Sequence, residues 1–279
     1  MLGILLRGMA VGVTETVPGV SGSTVAMILG IYERLVYSLS ILTTNQRKKA
    51  FPFLTVFGIG MVIGFALSIF LIGYLLNTYR TPTLTFFIGI IVGFLPYLWK
   101  ETTNHSEQKL KIKHYIIILL FLCLVIFGQL LGGSSNIDLH NLSLTDYLFF
   151  VVAGVIASTA LVLPGISGAL ILTIFGIYEI AMDSLISLNF PIVLAIGSGI
   201  VIGILFSSKL IRYLLEKFKI ETYAAMIGLV SGSIYAILRN LDSAFDNQTI
   251  LLSFITFFAG VFFLIILKQI QFNKYEYNY

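Results

Sequence analysis

One motif occurs twice in this chain, and each copy interrupts a helix. Residues 18–22 read Pro18-Gly19-Val20-Ser21-Gly22, and seven residues later comes Gly30-Ile31-Tyr32-Glu33. Residues 164–168 read Pro164-Gly165-Ile166-Ser167-Gly168, and seven residues later comes Gly176-Ile177-Tyr178-Glu179. The 146 residues between Pro18 and Pro164 separate every anchor of the two copies. Proline has no N–H to donate, and two glycines favour non-helical backbone. Yet both breaks lie inside apolar stretches. At membrane depth, broken backbone persists only where protein or a water-filled cavity covers it. Breaks at corresponding positions of two halves point to a transporter's binding site.

The surrounding chain fits no soluble class. It is 58% hydrophobic and 11% charged, with mean hydropathy +0.99, whereas soluble domains are about a quarter charged. The expected class is an all-α polytopic membrane protein. One cysteine, Cys123, excludes an intramolecular disulfide and any cysteine-built metal site; no metal or cofactor is expected. Met1–Val17 has no charged region followed by a cleavage site, so no cleavable leader is expected. The net charge of +4 reports topology rather than nucleic-acid binding.

Read in order, residues 1–133 form a first repeat, 134–146 an extracytoplasmic linker and 147–279 a second repeat. The first repeat holds a re-entrant hairpin (3–33) and spans at 52–76, 83–99 and 115–131. The second holds a hairpin (147–179) and spans at 191–208, 222–238 and 251–267. Arms of about 15 and 11 residues around the first break are short for a ~30 Å hydrocarbon core. Gly58, Gly60 and Gly64 recur as Gly197, Gly199 and Gly203, displaced by 139, and Gly89 and Gly93 recur as Gly228 and Gly232. Such small residues suit close helix contact.

Three crossings per repeat is an odd number, so the second repeat must be inverted relative to the first. Charge agrees. With the Arg47-Lys48-Lys49 loop inside, fifteen of the seventeen Lys and Arg fall inside and only Arg80 and Arg239 outside. Both termini are then cytoplasmic, in the inner membrane.

Each break is followed by a helix start, where free N–H groups favour anions. The first hairpin supplies Ser21, Gly22, Ser23 and Thr24 to an anion such as phosphate. The second supplies Ser167 and Gly168, with Ser158 and Thr159 nearby. The bland reading is that Pro18-Gly19 and Pro164-Gly165 merely kink helices. Glu15 is ionisable at a depth where that is costly, and its counterpart at 146 residues on is Leu161. It is a candidate for coupling to a cation, proton or sodium, or else a carboxyl hydrogen-bonded to the neighbouring hairpin. Arg34, Arg80 and Arg239 are candidates for attracting an anionic headgroup; ordinary interfacial cations are the alternative.

Catalysis is not expected. Gly19-Val20-Ser21-Gly22 matches the Gly-x-Ser-Gly of rhomboid intramembrane proteases, but that chemistry needs a histidine base on another membrane helix. His105, His114 and His140 all lie in or beside loops.

The doubled Pro-Gly-x-Ser-Gly and Gly-Ile-Tyr-Glu pattern, with Arg7-Gly8-Met9-Ala10 ahead of it, resembles the bacterial polyprenyl-phosphate transporter family over essentially the whole chain. The resemblance implies a flippase that returns undecaprenyl phosphate from the outer to the cytoplasmic leaflet for envelope polymer synthesis. The residues alone give a two-fold inverted transporter with paired anion sites, which would equally suit a small-anion transporter or channel.

Overall fold

A computed structural model describes residues 1–104, 110–131, 142–242 and 246–276. The chain is all-α: twelve helices and no strand occur among the described residues. The first six are α1 (Leu2–Thr14), α2 (Gly22–Ile28), α3 (Tyr32–Ser40), α4 (Arg47–Thr78), α5 (Arg80–Asn104) and α6 (Ile112–Leu130). The next six repeat the series as α7 (Leu144–Val162), α8 (Gly168–Ile174), α9 (Tyr178–Ile186), α10 (Phe190–Lys217), α11 (Lys219–Leu238) and α12 (Asn247–Glu276). His105, His140 and linker residues 134–141 lie outside the described residues.

Among the described residues, seven helices, rather than the expected six, are long and apolar enough to cross a membrane. The additional one is α7, which the sequence placed as a hairpin arm. Ser143 starts it early: its hydroxyl accepts the Asp146 N–H, and the Asp146 carboxylate accepts the Ser143 N–H at 2.8 Å. This reciprocal cap draws Leu144–Asp146, expected in the linker, into the helix. Its counterpart α1 has only 13 residues.

The arms after the breaks are also shorter than expected. Each is a seven-residue helix, α2 or α8, rather than eleven residues ending at Gly-Ile-Tyr-Glu. Gly30 and Gly176 adopt φ of 67° and 69°. The Gly30 N–H donates to Met27 O and the Ile31 N–H to Ala26 O; Gly176 and Ile177 do the same with Thr173 and Leu172. This paired arrangement ends a helix wherever a glycine can take left-handed backbone. Buried Ile31 and Ile177 then anchor the starts of α3 and α9. The α8–α9 pair is bent by 111°.

Glycine spacing sets the packing. A methyl at Gly8 or Gly12 of α1 would run into the Phe57 or Met61 carbonyl of α4, and one at Gly60 or Gly64 into Leu5 or Met9. Gly154 of α7 and Gly199 of α10 make the matching contact. Gly89 of α5 abuts Phe257 of α12, while Gly228 of α11 abuts Ile118 of α6. Both members of that last pair of contacts are displaced by 139, so each half lends its final helix to the other half. Gly58 and Gly197 do not share this role, because neither has a neighbour within 4 Å of its missing side chain.

Candidate functional site

Both breaks rest on one helix. Gly19 (φ 83°) lies against Ala236 and Ile237 of α11, and Gly165 (φ 91°) against Leu229 and Val230. Any side chain there would meet α11 backbone, and the left-handed φ is itself costly for other residues. α11 is the most buried of the candidate spans.

The two breaks also bind each other. The buried Thr24 hydroxyl accepts the Gly165 N–H at 2.9 Å. The Ser23 hydroxyl donates to the Leu163 carbonyl at 2.9 Å, so the 2.7 Å bond between the Ser21 and Ser23 hydroxyls takes its proton from Ser21. Tyr32 reaches across to donate to the Val162 carbonyl at 3.0 Å. Of the first hairpin's hydroxyls, expected to face an anion, Ser23 and Thr24 therefore bond backbone of the second break and Ser21 bonds Ser23.

Glu15 is held inside its own hairpin rather than by the neighbouring one, because the break folds Gly22 back onto α1. Its Oε1 accepts the Gly22 N–H at 3.1 Å, so a carboxylate already sits where the first copy was expected to receive an anion. A two-turn helix also has only a short dipole behind that N–H. In the second copy Leu161 occupies the equivalent place, with Cγ 3.1 Å from where a Gly168 side chain would begin. Leucine offers no acceptor.

Two cavities meet at Glu15. One, of about 410 Å³, is bordered by Glu15, Thr16, residues 17–20, Gln129, Ser167, Thr173, Tyr178 and Asn240. The other, of about 340 Å³, is bordered by apolar residues of α1, α3, α4 and α10, together with Glu15, Gly22, Ser23, Tyr32 and Leu161. Of the sequence-expected anion residues, only Ser167 borders the polar cavity. Ser158 is fully buried beside Gly203 and donates to Val155 O at 2.8 Å. Thr159 donates to Ile156 O at 2.6 Å. Hydroxyls in apolar helices commonly turn back to a carbonyl one turn earlier in this way.

The rim of the polar cavity carries two cations. Arg80 Nε donates to the Asn240 carbonyl at 2.7 Å, and the Arg239 guanidinium donates to the Gln129 carbonyl. Each arginine thus ties down a cavity-lining residue while remaining exposed. Arg34 borders neither cavity and lies 4.6 Å over the Phe53 ring. Beside it, Glu33 accepts from the Tyr223 hydroxyl at 3.0 Å and sits 3.8 Å from Lys219 Nζ. His114 lies at the start of α6, where its Nδ1 accepts the Lys111 N–H at 3.0 Å, so it serves a helix end rather than a serine. Sequence reasoning missed Thr16, Thr173 and Asn240 as cavity residues and left Gln129 without a role; no motif marks them, because they converge only through packing.

Residues 11–249 match the family described as undecaprenyl phosphate translocase-like. A polyprenyl-phosphate transporter of Staphylococcus aureus is 34% identical over 247 residues, covering 86% of this chain and 87% of its own length. A polyprenyl-phosphate transporter of Vibrio cholerae is 30% identical over 247 residues, covering 84% of this chain and 76% of its own. No solved structure matches.

Proposed function

The chain belongs to the undecaprenyl phosphate translocase-like family, and from that premise we propose that this multi-pass membrane protein moves undecaprenyl phosphate from the outer to the cytoplasmic leaflet of the inner membrane. The carrier would thereby be returned for cell-envelope polymer synthesis. In this reading both termini are cytoplasmic, the two repeats are inverted, and the Arg80–Arg239 end faces outward.

One observation supports it most: a polar and an apolar cavity share the Glu15 wall, which suits a ligand that is an anion at one end and a hydrocarbon along the rest. The phosphate occupies the polar cavity, where Ser167, Thr173, Gln129 and Asn240 offer hydrogen bonds. Arg80 and Arg239 draw it in at the rim, and Arg34 serves the headgroup at the cytoplasmic end. An ionised Glu15 would repel phosphate across so small a space; a proton or sodium ion on Glu15 removes that repulsion and couples the two movements. Ser23 and Thr24 hold the two breaks together, with Ser21 bonded behind Ser23, instead of touching the ligand.

A small-anion transporter or channel would use the polar cavity and leave the apolar one without work. Surface-exposed carrier lipid separates the readings. In cells carrying correctly inserted Ser167→Ala or Gln129→Ala protein, that pool should rise; an unchanged pool would sink the proposal.

A further inference from the structure

The apolar chamber has only a few polar groups in its wall, and each already bonds to the protein's own backbone. Glu15 Oε1 holds Gly22, Ser23 holds Leu163, and the Tyr32 hydroxyl holds Val162. What remains facing the space is hydrocarbon, including Leu54, Phe57, Met61 and Leu161. Polar guests would leave hydrogen bonds unmade there, so the chamber suits an apolar guest only.

Gly58 sharpens this. It borders the chamber, and no atom lies within 4 Å of where its side chain would begin. Its neighbours Gly60 and Gly64 admit the backbone of α1. Gly58 admits nothing that is part of the protein, so its small size preserves volume in the chamber rather than a helix contact.

From this geometry we infer that the chamber is a binding subsite for the head-proximal isoprenoid units of the transported lipid phosphate, with Glu15 and Gly22 forming the wall between chain and head. The inference rests on the function proposed above and extends it: the start of the chain enters the protein and does not stay in bulk lipid. The chamber thereby gives the transporter a preference for prenyl over plain headgroup phosphate.

The test uses the full chain in phosphatidylcholine nanodiscs with three probes: undecaprenyl phosphate, farnesyl phosphate carrying a diazirine on its first isoprene unit, and inorganic phosphate. Gly58→Phe should weaken both prenyl phosphates by about tenfold or more and leave inorganic phosphate unchanged. Gly197→Phe, at the matching glycine that borders neither cavity, should bind all three as the parent does. In the unsubstituted protein the diazirine should label Leu54, Met61 or Leu161, which keeps the test independent of how Gly58→Phe folds. Labelling confined to outward residues such as Val62 and Phe70, or unaltered prenyl affinity in Gly58→Phe, would overturn the subsite while leaving the function standing. Failure of the unsubstituted protein to bind either prenyl phosphate would overturn both.

Discussion

Glu15 and Leu161 hold equivalent places in the two copies of the motif, and each closes over the glycine that opens the next helix. Glu15 does so with a hydrogen bond, Oε1 to the Gly22 N–H at 3.1 Å. Leu161 does so by packing, with Cγ 3.1 Å from the side-chain position of Gly168. The same backbone geometry thus carries an ionisable side chain in one copy and an apolar one in the other. The two copies differ at one site: the first brings a carboxyl to the polar cavity, and the second brings Ser167.

Ser167 should therefore matter to affinity where Thr159 does not. Ser167→Ala removes a hydroxyl that faces the polar cavity, and a net hydrogen bond is worth about 1 kcal/mol, or roughly a fivefold to tenfold loss in affinity for lipid phosphate. Thr159→Ala removes a hydroxyl already bonded to its own helix and should leave affinity unchanged. Titration of both variants with undecaprenyl phosphate in nanodiscs checks this; equal losses would contradict it.

Thr24→Val should lower stability before it lowers affinity. It keeps the shape of the side chain but leaves the buried Gly165 N–H without its acceptor, at a cost of about 1–3 kcal/mol. Thr24→Ser keeps the oxygen and should restore most of it. Thermal unfolding in detergent reads the difference. A Thr24→Val protein with unaltered melting would mean that the two breaks are not held by this bond.

The glycines of α4 should divide into two classes. Gly64→Ala places a methyl against the Met9 backbone and should destabilise by about 1–3 kcal/mol. Gly58→Ala meets nothing and removes a helix-disfavouring residue, so it should be neutral or stabilising by up to about 1 kcal/mol. Melting temperatures of the two variants, measured side by side, should move in different directions or at least by clearly different amounts; equal falls would sink the assignment.

Much of this architecture was legible in spacing. The 139-residue displacement shared by Gly89 and Gly228 reappears in their contacts, Phe257 and Ile118. What spacing could not show is which helix each glycine admits, or that Gly58 admits none, because that depends on helix rotation in the bundle. Glu15 announced itself by its cost in an apolar stretch, but its partner did not: only the break returns Gly22 to within reach across seven residues. The residues of the expected anion cradle part company for a physical reason. Serines and threonines after a break can bond a ligand or bond the other break, and Ser23 and Thr24 do the second.

The central claim is that a proton or sodium ion on Glu15 is coupled to movement of a lipid phosphate whose head lies in the polar cavity. It is tested most directly by following labelled undecaprenyl phosphate across reconstituted vesicles, with and without an imposed proton or sodium gradient, in the unsubstituted protein and in Glu15→Gln. Glutamine still accepts the Gly22 N–H but carries no charge. The expected result is gradient-stimulated movement in the unsubstituted protein and movement indifferent to either gradient in Glu15→Gln. Gradient-stimulated transport of equal size in both would contradict the account.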